Sequence, residues 1–498
     1  MPFAFTASRS LDATFAKPKV KPHPARSGKE REGLLMRHIT VDVAIVGAGT
    51  AGLTARREVA TRGGVPVLIE GGRYGTMCAR VGCMPSKLLI AASEVAHTVD
   101  TAGLFGVNPA GGRIIDGRAV MARVRRERDR FAGSMVVVTE EIPAEQRLMG
   151  RARFVGPNTL QVGDHTSVTA RAIVIATGST AFVPQPFDAI RDHVIVSDDV
   201  FELLDLPSSM AVIGTGLIAL ELGQAMHRLG VRVAFFSPYD ELGPFSDPEV
   251  KAVVHGTLSD ELDIRLHTDI LLAELTSQGV SLRWRDADGG SREETFARVL
   301  VAAGRRPNVA GLDLQASGLT LDHAGSPCVD FETAQCGNAP IFFAGDVGGI
   351  RPLLHEAVDD GSIAGSNAML WPAIARHERR TPLAIAFTDP QMAMVGMRFD
   401  QLPAEHHAIG TMSFEDQSRA RMIGRNKGLI RIYADPQSGT LLGAEMFGPG
   451  VEHLAHLVAW AVQMDMTVAA TLSLPFYHPT LEEGLRSALR DLAQRLKV

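Results

Sequence analysis

Cysteine is scarce in this chain, with four among 498 residues, too few to staple a secreted domain through a disulfide framework. Long apolar runs are missing too. No stretch reaches the roughly eighteen residues of a membrane helix, and the segment from Met210 to Leu220 is interrupted by glycines and closed by Glu221. No membrane span is expected, and the chain is expected to be cytoplasmic. Basic charge is not in surplus either: 50 Lys and Arg face 56 Asp and Glu, for a net charge of -6. That excludes a nucleic-acid surface held by electrostatics. With 45% hydrophobic and 21% charged residues the chain is not disordered, and its length calls for several domains. Residues 1–35 differ, carrying seven Lys or Arg against three acids without the apolar centre of a secretory signal. They are expected to be a disordered extension or an over-extended start.

Val41-Asp42-Val43-Ala44-Ile45-Val46 is a short apolar run that ends at the turn Gly47-Ala48-Gly49-Thr50-Ala51-Gly52. A helix over 53–62 and a strand over 66–70 complete a βαβ unit. Gly47 allows the tight turn, Gly49 lets backbone approach a pyrophosphate, and Gly52 lets helix and strand pack closely, with the helix N-terminus facing the phosphates. Glu70 closes the second strand, where a carboxylate accepts from ribose hydroxyls. The same grammar returns at Met210–Ile213, followed by Gly214-Thr215-Gly216, a helix through Leu229 and a strand over 231–236; Ala219 stands for the third glycine. Two dinucleotides are therefore expected. The second unit ends at Ser237, and Pro238-Tyr239-Asp240-Glu241 after it supplies only negative charge, which favours NAD over NADP.

Cys78 and Cys83 have four residues between them in Thr76-Met77-Cys78-Ala79-Arg80-Val81-Gly82-Cys83-Met84-Pro85-Ser86-Lys87. An undistorted helix would hold their Cα atoms roughly 8.6 Å apart, beyond disulfide reach, so the backbone must buckle, and Gly82 permits it. A bridge across so small a distorted loop is readily reduced and re-formed. The pair thus reads as a redox dithiol, not half of a zinc site, since no second ligand pair follows at zinc spacing. Cys328 and Cys336 read as structural thiols. Near the C-terminus, His478 is followed by Glu483, a base with a candidate orienting carboxylate. His453 and His456 share a helix face without a third ligand, and no metal site is expected.

Eight landmarks taken together resemble the pyridine nucleotide-disulfide oxidoreductase family over about residue 40 to the end. They are the Gly47 turn, the Cys78/Cys83 pair, Gly150-Arg151-Ala152-Arg153-Phe154, Ala176-Thr177-Gly178, the Gly214 turn, Gly304-Arg305-Arg306-Pro307-Asn308, Ala344-Gly345-Asp346, and His478 with Glu483. The resemblance implies two Rossmann-like nucleotide-binding domains and a C-terminal α+β dimerisation domain. Their expected extents are 36–184 and 313–379 for FAD, 185–312 for NAD, and 380–498 for the interface. It implies that FAD lies against Gly47, Gly49, Gly52, Glu70, Ala152, Thr177, Gly178, Asp346 and Leu354, and NAD against Gly214, Gly216, Ser237 and Gly304. Cys83 would be the flavin-facing thiol, Cys78 the interchange thiol, and Lys87 would pair with Glu221 beside the flavin.

The resemblance is strongest to the branch that oxidises dihydrolipoyl groups with NAD. It implies a homodimer in which His478, held by Glu483, serves the thiols of the opposite subunit, and a lipoyl-bearing partner from a 2-oxo acid dehydrogenase or glycine cleavage complex. Met77 and Ala79-Arg80 depart from the family's common residues around the first cysteine, as do Phe476-Tyr477 before His478. These departures keep open a reductase of another disulfide, a quinone or a metal ion. A non-catalytic flavoprotein subunit is a third reading, disfavoured because a scaffold needs neither dithiol nor base.

Overall fold

Strand Arg37–Val46 lies inside a seven-stranded sheet, flanked by Pro66–Glu70 on one side and Thr166–Ile175 on the other, all parallel. The computed structural model describes residues 36–403 and 407–496, so the 1–35 segment singled out above lies outside the described residues. Side chains alternate across the strand, and both faces are covered. Val43, Ile45 and Leu68 join the core beneath helices Thr50–Thr61 and Leu354–Leu370, while Ala44, Val46, Val67 and Ile69 join the opposite core with Phe154 and Leu160. This two-sided burial explains why the strand reads as a nearly continuous apolar run. Thr166–Ile175 carries two neighbours on its outer edge, antiparallel Thr159–Val162 and parallel Ile341–Phe343. The chain thus returns to its first domain late in the sequence.

A second parallel sheet orders Asp263–Arg265, Arg232–Phe236, Ser209–Ile213, Arg298–Val301 and Ile195–Val196. An antiparallel sheet of Asp269–Thr276, Gly279–Arg285 and Ser291–Phe296 packs on it through edge-on contacts of Trp284 and Phe296 with Phe236. The C-terminal domain is a five-stranded antiparallel sheet, in order Leu383–Ala386, Gln391–Gly396, Leu441–Gly448, Leu429–Ala434 and Ala408–Ser413. Helices Val451–Gln463 and Glu482–Leu496 bury Leu454, Val458, Leu485 and Leu489 against it. Two Rossmann-like domains and an α+β domain are therefore present, as the sequence led us to expect. No helix among the described residues is long and apolar enough to cross a membrane.

Candidate active site

Gly47 has φ +110°, and a Cβ there would sit 2.3 Å from the Ala176 carbonyl oxygen. A Cβ on Gly52 would sit 1.9 Å from the Gly47 oxygen, so strand, turn and helix pack only because both side chains are absent. At Gly49 and at Gly216 the space is open. These turns therefore fit dinucleotides: each presents bare backbone at the start of a helix, Thr50–Thr61 and Leu217–Arg228 respectively, where phosphate is favoured. Gly214 (φ +113°) repeats the tight turn of Gly47. Glu70 accepts from Ala48 N–H at 2.8 Å and Gly72 N–H at 2.7 Å. It pins the first turn, and an ionised carboxylate keeps further lone pairs for a ribose.

Other expected residues gather around the first turn. Gly150 N–H donates to the Glu70 carbonyl at 2.8 Å, which brings Ala152 close to that strand's end. Thr177 donates to the Asn308 carbonyl at 2.7 Å, and the Asn308 amide returns a bond to the Thr177 carbonyl at 3.0 Å. Gly178 and Gly304, with φ of +70° and +110°, stand at open turns, and Leu354 opens helix Leu354–Leu370. Asp346 accepts from Ser179 Oγ at 2.7 Å, and Arg305 donates to the same Oγ at 2.8 Å and to Asp198 at 3.2 Å. Ser237 is 2% exposed, and its Oγ accepts from Tyr239 N–H at 3.1 Å. That leaves Tyr239 exposed at the rim of the second turn.

The helix expected to buckle between the cysteines is broken into Met77–Val81 and Cys83–Thr101, with Gly82 as the break. Both cysteines carry free thiols. Each thiol acts on the other, with unequal results. The bond from Cys78 holds the Cys83 thiol down to about 6; burial opposes this and the Lys87 charge assists it. Cys78 is pushed up by donating that bond, by burial, and by the negative charge on Cys83. This asymmetry favours the thiolate form at Cys83 over Cys78. Lys87, one helical turn beyond Cys83, reaches both oxygens of buried Glu221 at 3.0 and 2.8 Å. The structure thus brings together Cys78, Cys83, Lys87 and Glu221 from two regions of the chain.

His478 and Glu483 form a separate cluster. Nδ1 of His478 lies 2.7 Å from a Glu483 oxygen, and Arg486 donates to the other oxygen at 2.6 Å. Glu483 is held below the usual carboxylate range: desolvation raises it, but the bonds from His478 and the Thr480 N–H outweigh that, with the Arg486 charge assisting. The imidazole is 71% exposed. Among the described residues no hydrogen bond or ion pair joins this cluster to Cys78 or Cys83. Arg305, Ser179, Asn308 and Phe387 were not singled out from sequence. Arg305 and Asn308 sit in a landmark segment and Ser179 directly follows one, whereas Phe387 gave no signal. Of the two remaining cysteines, Cys336 is buried and its thiol pushed up by desolvation, but Cys328 is exposed, so structural packing accounts only for Cys336.

This combination of two dinucleotide turns, a paired dithiol and a lysine held by a buried glutamate defines a class, the flavin-dependent dithiol–disulfide oxidoreductases that work with a pyridine nucleotide. Residues 41–361 match the pyridine nucleotide-disulphide oxidoreductase family and residues 383–489 its dimerisation domain, and the chain belongs to that family. The dihydrolipoyl dehydrogenase of Halobacterium salinarum is 32% identical over 461 residues, covering 90% of this chain and 95% of that protein. A mercuric reductase of Staphylococcus aureus is 27% identical over 456 residues, covering 90% and 81%. The solved structure of LpdA from Mycobacterium tuberculosis shares the fold, with a TM-score of 0.77 at 23% identity, over 90% of this chain and 99% of that one. The protein is thus an oxidoreductase that binds FAD and NAD(H) and carries the family's dimerisation domain, which supports a homodimer.

Proposed function

We propose that this enzyme oxidises dihydrolipoyl groups to the cyclic disulfide with NAD as hydride acceptor. One observation carries the reading: the helix break at Gly82 separates two free thiols, Cys78 and Cys83, and one turn beyond Cys83 the Lys87 ammonium is held by Glu221 at 2.8 Å. The likeness over nearly the whole chain to a dihydrolipoyl dehydrogenase supports the substrate. We assign 36–184 with 313–379 to FAD binding, 185–312 to NAD binding and 380–498 to the interface, and place the enzyme in the cytoplasm with a lipoyl-bearing protein of a 2-oxo acid dehydrogenase or glycine cleavage complex as partner.

In the oxidised enzyme Cys78 and Cys83 share a disulfide. His478 of the partner subunit, oriented by its Glu483, takes a proton from one substrate thiol. The resulting thiolate attacks Sγ of Cys78; the Cys78–Cys83 bond breaks and Cys83 leaves as a thiolate that the Lys87 ammonium stabilises. The second substrate thiol attacks the substrate sulfur of the mixed disulfide and releases Cys78, its proton passing to the departing Cys78 sulfur, while His478 gives up the first proton to solvent. Substrate is oxidised by two electrons and the enzyme pair reduced by two. FAD would be held by Gly47, Gly49, Gly52, Glu70, Ala152, Thr177, Gly178, Asp346 and Leu354 and would supply two-electron redox chemistry between the thiols and NAD, which Gly214, Gly216, Ser237 and Gly304 would hold.

Steady-state oxidation of dihydrolipoamide, measured per flavin with NAD and with NADP, tests the reading; fast turnover preferring NAD is expected. Negligible turnover, alongside rapid NAD(P)H-driven reduction of another disulfide, a quinone or a metal ion, would replace it. That second reading has one observation in its favour: the exposed thioether of Met77, beside Cys78, accepts from Arg305 at 3.1 Å and changes the approach to the attacking thiol.

A further inference from the structure

Helix Leu217–Arg228 grips one short segment of the C-terminal domain. Glu221 accepts from Phe387 N–H at 2.8 Å. Gln224 accepts from Asp389 N–H and donates to its carbonyl, both at 2.8 Å. Arg228 donates to the Asp389 carboxylate at 2.8 Å and to its carbonyl at 3.1 Å. Positions 221, 224 and 228 lie three and four apart and therefore share a helix face. Phe387, just past strand Leu383–Ala386, is held in place by this grip. Its ring centroid lies 4.5 Å from Lys87 Nζ, within cation–π range.

We infer that Phe387 is a positioning residue for Lys87: its ring face and its backbone N–H, acting with Glu221, fix the ammonium beside the thiol pair. The inference rests on the reading of Cys83 as the thiolate that faces the flavin. A lysine stem is long and loses much rotamer freedom when held. Glu221 fixes the ammonium from one direction, and the ring bounds it from another. The C-terminal domain of each subunit thereby sets the charge felt by that subunit's own thiols. The charged and titratable groups acting on Cys83 are Cys78 on the preceding helix, Lys87 on its own and Glu221 on helix Leu217–Arg228, while Arg80 turns away to the Arg73 carbonyl. Arg305 reaches Met77, and Arg123 donates to the Leu88 carbonyl at 3.4 Å. Among these, Lys87 is the group stacked on the Phe387 ring.

The test is a pH titration of the long-wavelength thiolate–flavin absorbance in the full-length, FAD-bound enzyme reduced by two electrons. Phe387→Leu keeps the backbone donor and most of the volume but removes the ring face. Its midpoint should rise by about half a unit, from the loss of a partly exposed cation–π contact, while Phe387→Tyr should match the unmodified enzyme. In a Lys87→Gln background the leucine change should move nothing. No shift with Lys87 present, or an equal shift in both backgrounds, overturns the inference. If the leucine variant does not retain flavin, Phe387→Met enters the same cycle. Absence of the absorbance in the unmodified enzyme would refute the underlying reading of Cys83, a result distinct from a band that ignores Phe387.

Discussion

A dimer built from two differently damaged subunits gives the sharpest test of where His478 acts. In one chain the imidazole is 71% exposed, its Nδ1 is bound to Glu483, and nothing ties it to Cys78. A general base must come within hydrogen-bond reach of the proton it takes. The surface beside it is apolar and open, with Trp460 63%, Met464 73% and Tyr477 81% exposed around a cavity of about 430 Å³. Such a face is what a second copy would cover in a two-fold dimer.

The perturbation is to combine His478→Ala with Cys78→Ser subunits, each carrying its own affinity tag. Either homodimer lacks a group at both sites, and loss of a general base alone costs about a hundred- to ten-thousandfold. In the heterodimer one site has the Cys78 of the first chain and the His478 of the second, and the other site lacks both. Doubly tag-purified heterodimer should therefore show about half the dihydrolipoamide:NAD activity per flavin, and an unsorted equal mixture about a quarter, because the two-fold axis gives each dimer two independent sites. If His478 served its own chain's Cys78, neither site would be complete. Purified heterodimer no more active than the homodimers would refute the shared-site argument.

Two further outcomes follow from the charges. Because Cys83 is held down to about 6, the thiolate–flavin absorbance of the two-electron-reduced enzyme should be full at about pH 8 and half lost near 6 as the thiolate takes a proton; a midpoint above 8 would contradict the environment described. Arg228→Met should cost about 3 kcal/mol by leaving Glu261 and Asp389 without the cation they share at 2.6 and 2.8 Å. Glu261 sits below its ordinary value, since Arg228 outweighs the burial that would raise it. Its stabilising contribution is thus present above the unfolded carboxylate pKa and lost as pH falls through the folded one. The gap in urea midpoint between the two proteins should narrow from neutral pH to about pH 4, and a gap that stays constant would refute this account.

What the sequence made legible is what is local in the chain. The Gly47 and Gly214 turns could be placed because strand, turn and helix are contiguous and each glycine answers a steric demand within a few residues. The break at Gly82 followed from helix geometry once the two cysteines were read as a pair that must close a disulfide. Strands Leu429–Ala434 and Leu441–Gly448 are apolar runs in the sequence, whereas Gln391–Gly396 and Ala408–Ser413 mix polar residues and glycine with apolar ones and offer little period to count. The long-range partners were a different matter. Lys87 and Glu221 are separated by 134 residues and Arg305 and Ser179 by 126, and no periodicity encodes such a pairing; only the resemblance supplied the first.

Phe387 shows why that distinction bears on function and not merely on description. Read in sequence, Ala386-Phe387-Thr388-Asp389-Pro390 is the end of an edge strand followed by a turn. Its consequence appears only when Leu217–Arg228 is laid against it, since Glu221 then faces two ways at once, toward the Phe387 N–H and toward the Lys87 ammonium. A carboxylate shared between a backbone donor and a cation has little freedom to follow the cation if it moves, so the position of the 387–389 segment becomes the position of the charge. The thiol chemistry written in residues 78–87 is therefore completed by residues some three hundred positions later. A substitution that displaced the C-terminal sheet by a few tenths of an ångström would register first in the protonation of Cys83, before it registered in stability.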